Sequence, residues 1–294
     1  MTNESNTEHF EAFYQGSSNH VVILLPGLCG SELEMGVIPK LIRQSGHTLV
    51  VPRIPGYSAH TGLTSYMTWI DFVDHLVLDL LKTHHSASIV GLSMGATLAL
   101  AVAERNEQIQ SLVILAPVLV FDGWSIPWYH SLLSLAYRVG FRNWHYMEKA
   151  PYGVKNPELR RRIERAVKSN MVSELGAAHL PARHICESLM LASSAKKGLN
   201  QIYADLLIIH SIDDETASPK NPEMILELAS SETKKIIWLG NCYHMITVDN
   251  EREIVANETN SFINQTLDAA LSAERHSLQN TDLVIKLREP RKID

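Results

Sequence analysis

Short continuous apolar runs alternate along this chain with stretches whose apolar residues recur at helical spacing. That alternation predicts an α/β fold with a mostly parallel central sheet covered on both faces by helices. Residues 21–25 form the first buried run, closed by Pro26, Gly27 and Gly30. Residues 38–45 read as a helix that leads to a strand over 48–51. Between 67 and 83, Ile70, Val73, Val77, Leu80 and Leu81 fall at helical spacing and predict an amphipathic helix. A strand over 88–92, a small-residue helix over 94–104 and a strand over 111–115, ended by Pro117, continue the rhythm.

The rhythm then stops until Leu206, and the interval reads as helices broken by Gly and Pro. The expected organisation is a core first part over 1–117, a helical cap insertion over 118–200, a core second part over 201–270 and a C-terminal extension over 271–294. The first part of the insertion holds eight of the chain's twenty aromatic residues, Trp124, Trp128 and Trp144 among them. Such a cluster makes either an apolar wall beside a site or the insertion's own core, with even weight on each. The sheet is expected to resume over 206–210 and 235–239. A last helix is expected over 250–270, its start marked by Asp249 and Asn250 with Glu253 in the first turn.

Composition narrows the class of protein. The chain has 294 residues, 45% hydrophobic and 20% charged, with net charge −6. Its nearest approach to a basic patch, Arg160, Arg161 and Arg162, is flanked by Glu158 and Glu164, which is a solvated helix face and not a nucleic-acid surface. Three cysteines, at 29, 186 and 242, are too few and too dispersed for a disulfide framework or a paired-cysteine zinc site. The first sixteen residues carry no basic segment followed by an apolar run, and no stretch is long and apolar enough to span a bilayer. The expectation is a cytoplasmic protein without metal or organic cofactor, with no nucleic-acid partner and with a homodimer left open.

Candidate chemistry centres on Gly91-Leu92-Ser93-Met94-Gly95, a G-x-S-x-G pattern. Alone it would arise by chance in on the order of one in ten chains of this length. Its place on a strand-to-helix turn gives it a mechanism: so tight a turn strains the serine backbone, presents the hydroxyl at the carboxyl edge of the sheet and sets it at a helix N-terminus. A serine needs a base, and the base a carboxylate. Of fourteen histidines, His244 lies on the loop between the last expected strand and the last helix, at the same edge as Ser93; His210, at the end of an apolar strand, is the rival. The acid should follow the strand over 206–210, where Asp213, Asp214 and Glu215 stand in a row, with loop and capping roles for those not chosen. Donors for a developing oxyanion are expected from the N–H of Met94 and, in Pro26-Gly27-Leu28-Cys29-Gly30, from Leu28. Cys29 beside it reads as a small buried thiol.

The order Ser, Asp, His across strand ends resembles the α/β-hydrolase superfamily, and within it the bacterial carboxylesterases and monoacylglycerol lipases. The loop at 26–30 is similar to the family's H-G-F-T-G, with proline and cysteine replacing histidine and threonine. The elbow matches in full. The family's D-x-x-x-x-P is reproduced from Asp214 to Pro219 and not from Asp213, which selects Asp214 and keeps Asp213 as the alternative. H-x-x-T-x-D is reproduced by His244, Thr247 and Asp249. One further departure is Gly56-Tyr57-Ser58, where the family has G-H-G. The likeness spans about 21–265, with 118–200 corresponding to the variable cap. It does not reach the chain's end, where 282–287 reads as a short strand or a loose tail.

What the resemblance implies is a serine hydrolase of carboxylic esters, a small-molecule acyl ester as its partner and an acyl-enzyme intermediate. Thioesters, amides, lactones and carbon–carbon bonds are alternative substrates for the same residues. A non-catalytic ligand-binding homologue is disfavoured because all three positions are filled, and membrane attachment through the aromatic cap finds no basic residues to support it.

Overall fold

The computed structural model describes residues 10–58, 62–126, 144–147, 150–168 and 179–288. Half of the aromatic cluster, Trp128, Tyr129, Tyr137 and Phe141, lies outside these residues.

The elements run in chain order β1 (Phe10–Tyr14), β2 (His20–Leu25), α1 (Ile38–Gln44), β3 (Thr48–Pro52), α2 (Tyr66–Leu80), β4 (Ser86–Leu92), α3 (Met94–Ala103), β5 (Ile109–Leu115), β6 (His145–Met147), α4 (Pro157–Lys168), β7 (His179–Pro181), α5 (Ala182–Gly198), β8 (Asp205–Ser211), α6 (Lys220–Leu228), β9 (Lys234–Leu239) and α7 (Arg252–Arg288). Among the described residues the main sheet has the order β1-β3-β2-β4-β5-β8-β9. Every pairing is parallel except β1 with β3.

The continuous apolar runs are strands buried on both faces, as a parallel sheet requires. In β2, Val21, Ile23 and Leu25 join the core beneath α2, α3 and α5, whereas Val22 and Leu24 join the opposite core beneath α1 and α7. Ser65 caps α2 by accepting the Thr68 N–H at 3.4 Å. All ten residues of α3 are buried. Its alanines and glycine let it lie close against the sheet with α5 on its outer side.

Several elements differ from the sequence expectation. β1 was not expected, because its Phe-Glu-Ala-Phe-Tyr sequence alternates half-buried and exposed positions at an edge and never forms an apolar run. The interval after Pro117, read as helical, also contains the antiparallel pair β6–β7. The short helix α6 was missed as well. The last helix does not stop near Ala270, and 282–287 is neither a strand nor a tail: α7 continues to Arg288. No glycine or proline interrupts the sequence from 271 until Pro290, so nothing local ends the helix earlier. Among the described residues no helix is long and apolar enough to cross a membrane.

The strand order reverses between β2 and β4: the chain passes from β2 outward to β3 and returns to β4 on the other side. The loops leaving the carboxyl ends of these two neighbours diverge and open a crevice. The expected nucleophile turn and the expected oxyanion loop are the loops at that point.

Candidate active site

Ser93 sits between β4 and α3 with φ 55° and ψ −117°, a conformation that costs a non-glycine residue about 1–3 kcal/mol. Two features hold it there. Its N–H donates to the Leu115 carbonyl at 2.8 Å. Gly95 lets α3 approach β2 so closely that a Cβ there would lie 2.0 Å from the Leu25 carbonyl oxygen and 2.3 Å from that of Pro26.

His244, on the loop after β9, brings Nε2 to 2.8 Å from Ser93 Oγ, across 151 residues of sequence. Its Nδ1 lies 2.8 Å from Asp214 Oδ2. With Nδ1 protonated toward the carboxylate, Nε2 offers its lone pair to the serine hydroxyl. Asp214 is buried, and its Oδ1 accepts the N–H groups of Thr216 at 2.8 Å and Ala217 at 2.9 Å. Burial works to raise the Asp214 carboxyl. The facing His244, its hydrogen bond, His210 and the Ala217 N–H together outweigh burial and hold the group below the usual carboxylate range.

The rival residues are placed elsewhere. Asp213 is half-exposed and pairs with Lys155 Nζ at 2.6 Å, while its carbonyl accepts the Trp124 indole N–H at 3.1 Å. His210 is buried, its Nε2 2.9 Å from the Ala217 carbonyl and 3.8 Å from Asp214 Oδ2. Burial pushes His210 down in spite of the nearby Asp214.

Met94 is the first residue of α3 and buried, so its N–H belongs to the amides that a helix leaves without an intrahelical partner. Leu28 lies in the loop after β2. That loop runs against the nucleophile: a Cβ on Gly27 would come within 3.8 Å of Ser93 Cβ. The buried Glu34 supports it from below, accepting the Gly27 N–H at 3.0 Å, and its carboxyl fills the space beside Gly30 where a Cβ would lie 2.0 Å from Oε2. Thr247 Oγ1 donates to the Glu34 carbonyl and so ties this loop to the histidine loop. Cys29 is buried with φ 60°, and its thiol lies 3.5 Å from the Tyr57 carbonyl.

Sequence reasoning missed the roles of four residues in this neighbourhood. Glu34 gave a signal only as a carboxylate four residues after a glycine-rich loop. Glu215, read as a loop or capping residue, accepts the main-chain N–H of His244 on Oε2 at 3.0 Å. Lys155 bridges Asp213 to the Gly240 carbonyl at 3.1 Å. Asp249, expected to start the last helix, is fully buried and accepts N–H groups from Lys155, Asn156, Tyr243 and Asn250. It binds the segment before α4 to the histidine loop.

The arrangement can deprotonate a hydroxyl beside two candidate amide donors, which is the requirement for acyl transfer. Comparison with known proteins agrees with this chemistry. The chain is 25% identical over 255 residues to the thermostable monoacylglycerol lipase of Bacillus sp. (strain H-257), covering 86% of this chain and 93% of that one. It is 21% identical over 248 residues to a carboxylesterase of Bacillus subtilis (strain 168), covering 82% and 91%. The crystal structure of the Paleococcus ferrophilus monoacylglycerol lipase superposes with a TM-score of 0.73 at 18% identity, covering 87% of this chain and 98% of the other. That likeness establishes the α/β-hydrolase fold. The family model Hydrolase_4, described as serine aminopeptidase, S33, matches residues 46–252, a span that contains Ser93, Asp214 and His244 and more than half of the chain, and the protein belongs to that family.

Proposed function

We propose that this protein is a serine hydrolase of carboxylic esters in which Ser93 is the nucleophile, His244 the general base and Asp214 the residue that orients it. The observation that carries the reading is the continuous pair of 2.8 Å contacts from Ser93 Oγ through the His244 ring to Asp214 Oδ2.

His244 Nε2 takes the hydroxyl proton as Ser93 Oγ attacks the ester carbonyl, and the carbonyl oxygen becomes an oxyanion held by the N–H groups of Met94 and Leu28. Asp214, kept ionised, stabilises the imidazolium. The C–O bond then breaks, the alkoxide leaves with the proton from Nε2, and the acyl group remains on Ser93. Water deprotonated by the same nitrogen attacks the acyl carbon, the bond from that carbon to Ser93 Oγ breaks, and Oγ takes the proton back from Nε2 as the carboxylic acid is released.

The names of the two Bacillus relatives, a monoacylglycerol lipase and a carboxylesterase, favour monoacylglycerols or other carboxylic esters as substrates. We take residues 118–200 as the cap over the site. At its near end Trp124, 62% exposed, meets the Tyr243 ring edge-on at 5.6 Å beside His244, which gives the rim an apolar surface suited to an acyl or alcohol group. Three free and buried thiols support a cytoplasmic setting.

The test is a panel of p-nitrophenyl esters of increasing acyl length, run beside monoacylglycerol, acyl-coenzyme A and an aminoacyl p-nitroanilide. The expected result is turnover of the oxygen esters and labelling by a fluorophosphonate, both abolished by Ser93→Ala. Preference for the anilide would move the assignment to amide hydrolysis, and preference for the coenzyme A thioester to a thioesterase.

A further inference from the structure

We propose that Glu215 is a positioning residue for His244, holding the main chain of the base while Asp214 holds its ring. The proposal rests on the Ser93–His244–Asp214 assignment above.

Two consecutive side chains of the loop after β8 converge on one residue. Asp214 Oδ2 accepts from the imidazole at 2.8 Å, and Glu215 Oε2 accepts the main-chain N–H of the same histidine at 3.0 Å. A base held only by its ring can pivot about that contact and carry Nε2 away from the serine. A second fixed point at its own amide leaves only the side-chain torsions free, and these are set by the Asp214 bond. Displacement of a reacting group by about 1 Å can cost on the order of 100-fold in rate, so this anchor bears on chemistry more than on binding.

Glu215 is itself immobilised. Its carbonyl accepts both the N–H and the hydroxyl of Ser125, at 3.0 and 2.9 Å, and Gly123 packs so tightly that a Cβ there would lie 2.2 Å from the same carbonyl. The segment at 123–125, where the chain leaves the core sheet, is therefore tied through one residue to the base. Glu215 as a whole is 4% exposed. A neutral glutamine would make the same bond at a lower desolvation cost, so the carboxyl is an expensive choice unless its charge acts on the imidazolium formed during the reaction. Among the described residues the titratable groups acting on it are His244 and Asp214, and its Oε1 also lies 3.5 Å from the Thr216 hydroxyl. Burial, with Asp214 beside it, raises the Glu215 carboxyl, and His244 offsets this only in part.

Glu215→Met, similar in length and without a strong acceptor, and Glu215→Gln, which keeps an acceptor without the charge, separate bond from charge. With a p-nitrophenyl ester, Glu215→Met is expected to lower kcat about 10- to 100-fold with KM within about twofold, and to slow fluorophosphonate labelling in parallel. Glu215→Gln is expected to restore kcat to within about threefold of wild type at neutral pH and to shift the acid limb of the kcat/KM profile. Should Glu215→Met fail to fold, Glu215→Asp, one methylene shorter, carries the same expectation. Wild-type kcat in the Met or Asp variant, equal losses in Met and Gln, or a change confined to KM would overturn the proposal. Ser93→Ala keeps the two readings apart: residual turnover there defeats the triad itself, whereas its loss beside an unaffected Glu215→Met defeats only the role of Glu215.

Discussion

The hydroxyl of Tyr57 donates to the main-chain carbonyl of Pro26 at 3.1 Å. Two of the positions where this chain departs from its family's motifs are therefore in contact. Tyr57 stands in the loop after β3, Pro26 opens the loop after β2, and Tyr57 lies edge-on to Trp69 at 5.1 Å, which fixes the direction of the hydroxyl. Burial, with Cys29 and Glu34 nearby, pushes the phenol well above its usual range, so it remains a donor throughout the working pH range. Tyr57→Phe leaves the Pro26 carbonyl unpaired at a cost of about 1–3 kcal/mol. The expected outcome is a lower Tm and a several-fold drop in kcat with KM unchanged; unchanged Tm and kcat would show the contact to be incidental.

The adjacent carboxylates Asp213 and Asp214 differ in partner, and their substitutions are expected to differ by orders of magnitude. Asp214→Asn removes the charge facing the imidazole and reverses the tautomer preference, for an expected loss in kcat on the order of 10⁴-fold. Asp213→Asn breaks a half-exposed pair with Lys155, worth about 0–1 kcal/mol, and is expected to keep kcat within about threefold. Steady-state kinetics on one ester decides it, and equal losses would reassign the acid.

Gly95 admits no side chain, since its Cβ would overlap two backbone carbonyl oxygens that belong to β2 and its loop and cannot swing aside. Gly95→Ala must push α3 away from the sheet and with it the serine turn. Expected is a destabilisation of about 3 kcal/mol or more, read as a fall in the urea midpoint, together with loss of fluorophosphonate labelling in whatever protein still folds.

At the opposite end of the sheet His20 is buried between Ser86 Oγ at 2.7 Å and Ser88 Oγ at 2.9 Å, with the His47 ring edge-on at 5.1 Å. Burial first, then His47 and His84, lowers its pKa from 6.5 to about 3. In the unfolded chain His20 takes a proton near 6.5, and in the folded chain only near 3. The stability this represents is complete above pH 6.5 and is lost as pH falls from there toward 3. At about 1.4 kcal/mol per pH unit, roughly 2.5 kcal/mol should be gone by about pH 4.5. Urea unfolding of wild type and His20→Gln between pH 7.5 and 4.5 checks this: the variant is expected to start lower and to lose less on acidification, and parallel curves would assign the acid lability to other groups.

Much of this architecture was legible in the order of residues, because strands buried on both faces must be continuously apolar and helices against them must repeat every three to four positions. The turn carrying Ser93 was legible for a related reason: its glycines are demanded by backbone crowding within five residues. His244 was legible by its position between an apolar run and a capped helix. The edge strand β1, half-exposed, and the full length of α7, set by the absence of a breaker, left no such local mark. The spacing to Pro219 selected Asp214 by resemblance, whereas tertiary structure alone decided how the three successive acids diverge, Asp214 to the His244 ring, Asp213 to Lys155 and Glu215 to the His244 main chain. It also decided that Glu34 and Glu215 accept main-chain N–H groups of the loops around Ser93, and that Tyr57 reaches Pro26. A local pattern specifies the state of the backbone and the side that is buried. A hydrogen bond between residues 151 positions apart exists only once the whole sheet has brought its loops to one edge.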